Sequence, residues 1–574
     1  MTPLTQLDPM TDKPSDTTID NADGIPDNPG RRRVLGGMAL AGAAITLGGC
    51  RADGTRRASA ATQDDAALDA SLREHIHTVV VLYAENRSFN NLFAGFPGLA
   101  QPLKALDSPE YRQRDRDGGL LATLPPIWSG LVPHPQVVDG QHFHIDEHAI
   151  TGLPNQPFAL RTPQGALLPH GVVTRDLIHR FYENQLQING GRNDGFVAWG
   201  NTGAMVMGHY ADTPDRLRLW RLARQYTLCD NFFMGAFGGS FLNHQYLAAA
   251  QPPFYPHADQ GPAKFQIAVM EGDDPTGIRP KFADDSPASA MQGRPKWASR
   301  DALTPDFWAV NTIGPAYAPG YTTDPHDPRL ADPASPNTLP PQTHLTIGDL
   351  LSQANVDWAW YAGAWQLALE GRGEGNHKEF PEVPDFQPHH QPFNYFRQFG
   401  PGTAARQRHL RDAGVGGSAA SNHFIAAIEA GTLPPVTFYK PQGDLNMHAG
   451  YASVEAGDAH LAQVVEALQK SPQWPHMLVV ITVDENGGWW DHVAPPKGDR
   501  WGPGTRIPAI VVSPHAKKNH VDHTIYDTGS ILRFITRRFG LRQLPGLKLR
   551  DASMIAAGGP APGDLTAALQ FETS

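Results

Sequence analysis

An apolar run passes directly into an acidic pair in the stretch Met477-Leu478-Val479-Val480-Ile481-Thr482-Val483-Asp484-Glu485-Asn486-Gly487-Gly488. A run of apolar and β-branched residues of this length is typical of a strand that is buried on both faces of a sheet. Runs of the same character occupy His77–Tyr83, Val436–Tyr439 and Ile507–Val512. The sequence therefore predicts a sheet whose central strands are covered on both sides.

Helical patterns accompany these runs, and three of them are well delimited: Thr346–Asn355, Asp458–Lys470 and Thr528–Phe539. Ser or Thr near a helix start and a glycine such as Gly540 after the end are ordinary cap signals. Strands that alternate with helices predict an α/β fold, here a three-layer sandwich with a mostly parallel central sheet.

Composition indicates a large domain rich in loops. The chain has 574 residues, of which 57 are Gly and 52 are Pro, and such a content favours long irregular connections. We expect one catalytic domain over residues 73–574, with insertions near 100–170, 251–340 and 366–420. The net charge of −11 supplies no basic field that would hold nucleic acid.

The first 50 residues have the pattern of an export signal. Arg31-Arg32-Arg33 precedes a short Gly- and Ala-rich apolar segment that ends at Leu47-Gly48-Gly49-Cys50. Paired arginines favour the twin-arginine route, and the box before Cys50 favours acylation of that cysteine. We expect a periplasmic, outer-membrane-anchored or secreted protein that meets a membrane only through this anchor, with residues 51–72 as a tether. An ordinary N-terminal anchor or uncleaved signal is the alternative.

Polar residues follow the two strongest strand predictions. Glu85-Asn86 comes after the first run and Asp484-Glu485 after the run at Met477–Val483. Because ligands collect at the carboxyl ends of parallel strands, these four side chains are predicted to meet and bind a metal. Their oxygens suit one divalent ion, with Ca, Fe, Mg, Mn and Zn all open. The alternative is that Glu85 and Asp484 cap neighbouring helices.

A serine follows two glycines at Gly238-Gly239-Ser240. Glycines let a backbone approach a ligand closely, and a helix that begins at Ser240 would direct free amides at an anion. Ser240 is therefore a candidate nucleophile, and the alternative is a helix cap. Further candidates are histidines, at positions His179, His389, His390, His448 and His492.

Taken in order, these motifs resemble the bacterial phosphoesterase family of acid phosphatases and phospholipases C, within the alkaline phosphatase superfamily. The resemblance spans about residues 75–545 and rests on Glu85–Asn90, Asp194–Phe196, Gly238–Asn243, Asn446–Tyr451, and Asp484–Gly488 with Asp491–Val493. It implies an alkaline phosphatase-like core, Ser240 as the nucleophile, and Glu85, Asn86, Asp484 and Glu485 as metal ligands. By the same resemblance His448, His389 and His390 are catalytic, and His179, Asn243 and His492 bind substrate.

Within that family the sequence is more similar to the acid phosphatases, because it has Ser at position 240 and the pair His389-His390. The resemblance implies an exported, metal-dependent phosphomonoesterase that forms a phosphoserine intermediate on a phosphate ester substrate. A phospholipase C is the enzymatic alternative, and a lipoprotein that binds a phosphorylated ligand without turnover is the non-enzymatic one. The general acid stays open between His448 and the pair His389-His390, and His142, His144 or His148 could replace His179. The sequence does not set the oligomeric state.

Overall fold

A computed structural model describes residues 64–371 and 386–571 of the chain. The segment with the arginines and Cys50 lies outside the described residues, as does part of the expected insertion at 366–420. Residues 64–75 form a helix, α1. It begins inside the stretch expected to be a tether, and Asp65 and Asp69 anchor it to Arg537 through ion pairs of 2.9 and 2.6 Å.

One sheet organises the described chain. In chain order the strands are β1 (Thr78–Ala84), β2 (Val132–Val138), β3 (Gln141–Ile145), β4 (Phe158–Ala159), β5 (Gly208–His209), β6 (Thr227–Cys229), β7 (Phe232–Phe233), β8 (Trp358–Gly363), β9 (Leu410–Gly414), β10 (Val436–Lys440), β11 (Met477–Val483), β12 (Ala509–Val512), β13 (His520–Asp522) and β14 (Tyr526–Asp527). Eight of them form the large sheet in the order β13-β6-β12-β11-β1-β10-β8-β9.

The sheet is mostly parallel, as predicted. Strand β1 pairs in parallel with both β10 and β11, and β10 continues in parallel to β8. Only β12 runs antiparallel to its neighbours β11 and β6. Every residue of β1 and β11 is buried, which explains why these strands read as continuous apolar runs.

The helices are α2 (Phe89–Phe93), α3 (Phe181–Ile188), α4 (Thr213–Arg216), α5 (Arg218–Gln225), α6 (Ser240–Ala249), α7 (Ile347–Gln353), α8 (Trp365–Leu369), α9 (Ala404–His409), α10 (His423–Glu429), α11 (Val454–Lys470), α12 (Thr528–Arg538) and α13 (Pro545–Ala556). They pack in two groups, with α11 against α5 and α10, and α6 against α7 and α12. This arrangement around the sheet confirms the α/β fold class. No helix in the described part of the chain is both long and apolar enough to span a bilayer.

Two of the three helix predictions are close to the observed bounds, and the third starts one turn late. Helix α11 begins at Val454 because the Ser453 side chain accepts a hydrogen bond from the amide of Ala456. Helix α7 has the predicted cap at Thr346, whose side chain and that of Asp349 form a capping box. Thus cap chemistry, and not only apolar periodicity, sets the helix ends.

The expected insertions differ in character. Residues 251–340 contain 3-10 turns and isolated bridges but no α-helix or strand. The stretch 366–420, in contrast, supplies β9, which is the edge strand of the large sheet. Strand β9 (Leu410–Gly414) was not predicted from the sequence, because it is short and polar and therefore has no apolar run.

A buried ion pair ties the loop after β11 to the start of α2. The Asp491 carboxylate accepts hydrogen bonds from Arg506 Nε (3.0 Å) and from the amides of Asn90 (3.0 Å) and Val493 (2.8 Å). Both charged side chains are fully buried. Removal of one partner of such a pair leaves an uncompensated charge in a low dielectric.

We therefore expect Asp491→Asn to lower the free energy of unfolding by about 3–5 kcal/mol. Urea denaturation of the two proteins measures this difference. The control is Asp327→Asn, which breaks a 2.7 Å ion pair with Arg329 on the surface and should leave the midpoint unchanged. Equal midpoints for all three proteins would contradict the assigned role of the buried pair.

Candidate functional site

The carboxyl ends of three adjacent strands converge at one edge of the sheet. The register pairs Ala84 of β1 with Val483 of β11, so the next residues, Glu85 and Asp484, lie side by side. Strand β10 lies on the other side of β1 and ends at Lys440. The parallel arrangement thus places two acids and one lysine together, as the strand-end rule leads one to expect.

Three carboxylates form the centre of the site, and we call Glu85, Asp484 and Glu485 the acid cluster. All three are fully buried. Asp484 Oδ1 accepts hydrogen bonds from the amides of Asn86 (3.2 Å) and Glu485 (2.8 Å), and Glu485 Oε2 accepts one from the amide of Gly487 (2.6 Å). The helix-cap alternative is wrong for Glu85, because α2 is capped by the Ser88 side chain, and for Asp484, because the amides that bond its Oδ1 belong to Asn86 and Glu485, which lie outside the helices.

Ser240 lies directly against this cluster. Its Oγ is 3.2 Å from Asn86 Oδ1 and 3.4 Å from Glu485 Oε1. It is the first residue of α6, and Gly239 holds the cap position, so the hydroxyl is not used as a helix cap. The structure therefore joins the Ser240 motif to both acidic motifs, which lie 154 and 245 residues away along the chain.

Glu85 is held by four side chains. Oε1 lies 2.7 Å from both Lys440 Nζ and His390 Nε2, while Oε2 accepts hydrogen bonds from Asn446 Nδ2 (2.5 Å) and the Tyr451 hydroxyl (2.7 Å). Burial acts to raise the pKa of the Glu85 carboxyl, but Lys440 and His390 together hold that pKa well below its usual value. Glu85 is thus a fixed negative charge.

Burial and neighbouring negative charge disfavour the ionised forms of the other two acids, Asp484 and Glu485. Burial raises the pKa of Asp484 to about 7, with Glu85 adding to the effect. Burial, together with the charge of Asp484, also raises the pKa of Glu485. Asp484 Oδ2 is buried and makes no hydrogen bond. Bare carboxylate and amide oxygens in this setting fit a hard divalent cation, which would lower both pKa values.

A cavity of about 760 Å³ opens above Ser240. Its wall includes His179, His389 and His448, and it also includes Arg175. Arg175 forms no ion pair with a described residue, and its buried Nε has no hydrogen-bond partner. The cavity is much larger than a phosphate group, and its floor carries the candidate nucleophile.

The cavity histidines differ in charge. Burial acts to lower the pKa of His179, but Glu485 and Asp176 raise it to about 9. Burial lowers the pKa of His448 to about 4, and burial also lowers the pKa of His389. His179 is therefore the cationic histidine of the wall, whereas His448 is neutral and donates Nδ1–H to the carbonyl of Ala449 (2.5 Å).

Three expected site residues do not reach the cavity. Asn243 is fully buried, and its amide bonds the backbone of Ala236, Gly238 and Gly239, so it shapes the turn before Ser240 instead of binding substrate. His492 bonds Asn90 Oδ1 (3.0 Å) and the carbonyl of Gln101 (3.1 Å). His390 is fully buried against Glu85, which places it behind the site and not on the reacting side.

The competing histidines on β3 and after it, His142, His144 and His148, are exposed and do not line the cavity. Two residues of the site, Lys440 and Arg175, were not predicted from the sequence. Lys440 follows the predicted strand Val436–Tyr439 immediately, so the rule that found Asp484 could have found it. Arg175 lies on an irregular segment and offers no such signal.

Gly238 holds the turn in place through backbone contacts. Its φ is 91°, and a Cβ there would lie 2.5 Å from the amide nitrogen of Phe181. We expect Gly238→Ala to lower the free energy of unfolding by about 3 kcal/mol or more, since strain and overlap add. Gly118→Ala is the matched control, because Gly118 has φ 83° and open space around it, so only about 1–2 kcal/mol of strain is expected. Equal losses in urea denaturation would show that the close approach is unimportant.

The chain is similar in sequence to several bacterial phospholipases C. The chain is 27% identical over 257 residues to the non-hemolytic phospholipase C of Burkholderia pseudomallei (strain K96243), which covers 40% of this chain and 36% of that protein. It is 28% identical over 174 residues to phospholipase C B of Mycobacterium tuberculosis (strain H37Rv), covering 26% of this chain and 32% of that protein. The matched segments thus span about a third of the length of these curated relatives.

A solved protein of the alkaline phosphatase superfamily from Vibrio parahaemolyticus aligns over 64% of this chain and 66% of its own, at 10% identity and a TM-score of 0.29. A model of the Phosphoesterase family matches residues 76–542, which is most of the chain and includes the acid cluster, Ser240 and every cavity histidine. The chain belongs to the Phosphoesterase family.

Proposed function

We propose that this protein hydrolyses phosphate monoesters and that Ser240 Oγ is the nucleophile that attacks phosphorus. The observation that carries the proposal is the position of that oxygen. It lies on the floor of the cavity, within 3.4 Å of both Asn86 Oδ1 and Glu485 Oε1. A serine so placed at the start of a helix presents its oxygen to an anion whose charge the helix amides also face.

The surrounding side chains suit the charge that phosphoryl transfer develops. His179 carries a positive charge beside Glu485, 3.7 Å away, and Arg175, which forms no ion pair with a described residue, adds a cation to the wall. Phosphoryl transfer needs alignment and charge neutralisation more than covalent chemistry. These cations would hold the equatorial oxygens of the phosphoryl group while Ser240 attacks.

Proton transfer in the two halves of the reaction is assigned to two histidines. Glu485 Oε1 and Asn86 Oδ1 are the acceptors nearest the Ser240 hydroxyl and orient it; a cation held by the acid cluster would lower the pKa of that hydroxyl, so that its proton passes to water in the cavity. His448 is neutral, with its Nδ1 proton committed to Ala449. It therefore serves in the second half of the reaction as the base that activates water, and His179 is the cation available to the leaving group.

A divalent cation completes the proposal. Asp484, Glu485 and Asn86 would hold it, with the charge of Glu85, whose oxygens are bound by four side chains, beside them, and when bound it would act as a Lewis acid on the phosphoryl oxygen and the Ser240 oxygen. The protein's own part is to keep the oxygen ligands buried and oriented. The backbone amides do this by engaging Asp484 Oδ1 and Glu485 Oε2, so that Asp484 Oδ2 and Glu485 Oε1 face the site.

Phospholipase C activity is the second candidate, and the names of the relatives favour it. Both activities use the same nucleophile and differ in the group that the cavity wall must accept. The protein should release inorganic phosphate from an aryl phosphate at least about 10-fold faster, in kcat/KM, than it releases phosphocholine from phosphatidylcholine, which corresponds to about 1.4 kcal/mol. The reverse ratio would assign it to the phospholipases.

Ser240→Ala tests the nucleophile. We expect kcat on an aryl phosphate to fall about 10³-fold or more, because the covalent step is removed. Acid-quenched protein should contain phosphoserine at residue 240 in the parent and none in the variant. Ser418→Ala, at an exposed loop position, is the control and should keep full activity. A variant at residue 240 with unchanged kcat would disprove the assignment.

Removal of the metal tests the acid cluster. Dialysis against EDTA should abolish turnover and lower the melting temperature, because a ligand that binds only the folded state stabilises it. Addition of one divalent ion should restore both properties. Asp484→Asn should weaken the binding of that ion about 100-fold or more, or 2.7 kcal/mol. Full activity in EDTA would exclude a role for the ion.

A further inference from the structure

We infer that Tyr321 and Thr312 form a subsite for the alcohol part of the substrate, and that the substrate class is the phosphate monoesters whose alcohol carries an uncharged aromatic group. The inference rests on the proposed function, since it takes Ser240 to receive the phosphoryl group. It goes further, because neither the family match nor the catalytic proposal assigns a role to the stretch 251–340, on which both residues lie.

The cavity has room for more than the reacting group. Its volume of about 760 Å³ falls within the range of about 300–1,000 Å³ that is typical of sites for whole small-molecule ligands. Ser240 lies on the floor of the cavity, and its hydroxyl needs only the phosphoryl group within reach. The remaining volume is therefore available to the alcohol part of an ester.

Charge divides the residues that line the cavity. The charged side chains Arg175, Asp176 and Arg180 come from the segment before α3. The stretch 251–340 contributes uncharged residues, which are Val310, Asn311, Thr312 and Tyr321. Because a charged group in a partly buried place needs a counter-charge, this part of the wall suits an uncharged group.

Tyr321 presents an aromatic ring on the uncharged part of the wall. It is 42% exposed, whereas Val310, the other apolar residue of the four, is fully buried. The Tyr321 ring is therefore the apolar surface that a ligand can reach there. A flat apolar group that stacks on this ring or meets its edge would remove both surfaces from water.

The Tyr321 side chain is held in position. A Cβ at Gly314 would lie 2.9 Å from Cδ2 of the ring, so the ring occupies space that a side chain at residue 314 would fill. The Tyr321 hydroxyl donates a hydrogen bond of 3.4 Å to Gln387 Oε1. Gln387 is buried and lies two residues before His389 of the cavity wall. A ring fixed in this way loses little freedom when a ligand binds.

Asn311 joins the uncharged part of the wall to the charged part. Its Oδ1 accepts a hydrogen bond from the amide of Phe181 (2.9 Å), and its Nδ2 donates one to the carbonyl of Asp301 (2.7 Å). Phe181 is the first residue of α3 and follows the segment that ends with His179 and Arg180. Thr312 is thus placed next to the cationic wall, so one ester can contact both parts.

Two monoesters of similar reactivity test the inference. Benzyl phosphate and ethyl phosphate are esters of primary alcohols of similar acidity, so they differ in the ring and not in the strength of the leaving group. We expect kcat/KM of the parent to be about 10-fold higher for benzyl phosphate, or about 1.4 kcal/mol, because the ring contacts Tyr321. Tyr321→Ala should reduce this ratio to about 2 or less. Equal kcat/KM values for the two esters in the parent would overturn the inference.

Two further variants separate the ring from its hydroxyl and from general damage. Tyr321→Phe keeps the ring and should keep the parental ratio. Phe265→Ala removes an aromatic ring from the same stretch, at a residue that is 68% exposed and does not line the cavity, and should keep the ratio too. A ratio that is unchanged in Tyr321→Ala, or that falls equally in Tyr321→Phe, would overturn the inference.

Binding without turnover separates this inference from the proposed function. Ser240→Ala is titrated in a calorimeter with benzylphosphonate and with ethylphosphonate, and we expect benzylphosphonate to bind about 10-fold more tightly. The addition of Tyr321→Ala should abolish this difference. Equal affinities for the two phosphonates in Ser240→Ala would overturn the inference while leaving the proposed hydrolysis intact. A parent that hydrolyses neither ester would instead refute the proposed function, and the calorimetric comparison would still decide whether Tyr321 binds an aromatic group.

Discussion

The structure depends on one electrostatic constraint, which is that neighbouring parallel strands deliver carboxylates to the same buried point. Glu85 and Asp484 are placed side by side by the register of β1 and β11, and Glu485 follows at once. Like charges in a low dielectric repel strongly. Lys440 and the backbone amides offset this repulsion, and the oxygens of the cluster are arranged so that they suit a divalent cation. The proposed nucleophile lies against the same cluster, since Ser240 Oγ is 3.4 Å from Glu485 Oε1.

The site has two layers with different tasks. Behind the acid cluster, His390, Asn446 and Lys440 immobilise Glu85 through direct contacts. Tyr451 donates to the same carboxylate and also lines the cavity. In front of the cluster, the cavity wall carries groups without such commitments, of which Arg175 is the clearest example.

The sequence predicted the acids of the candidate site better than it predicted the turn and the edge strand that support the site. The runs before Glu85 and Asp484 predicted strands, and the strand-end rule then predicted that the acids meet. The register of β1 and β11 places them side by side. The same reasoning could not place Asn243, whose amide satisfies the backbone of a turn. Such a role depends on the path of the turn in space. Edge strands such as Leu410–Gly414 were missed for a related reason, because half-exposed strands carry no apolar run.

Anomalous diffraction from crystals of the Mn²⁺-loaded protein tests the central claim most directly. We expect one strong peak at the carboxyl ends of β1 and β11, within about 2.0–2.6 Å of oxygens from Asp484, Glu485 and the Ser240 hydroxyl. A peak only at the Asp176, His179 and His448 group, where ligand atoms also approach within 4.8 Å of one another, would contradict it. In that case the acid cluster would be a structural feature, and the nucleophile would need a different source of activation.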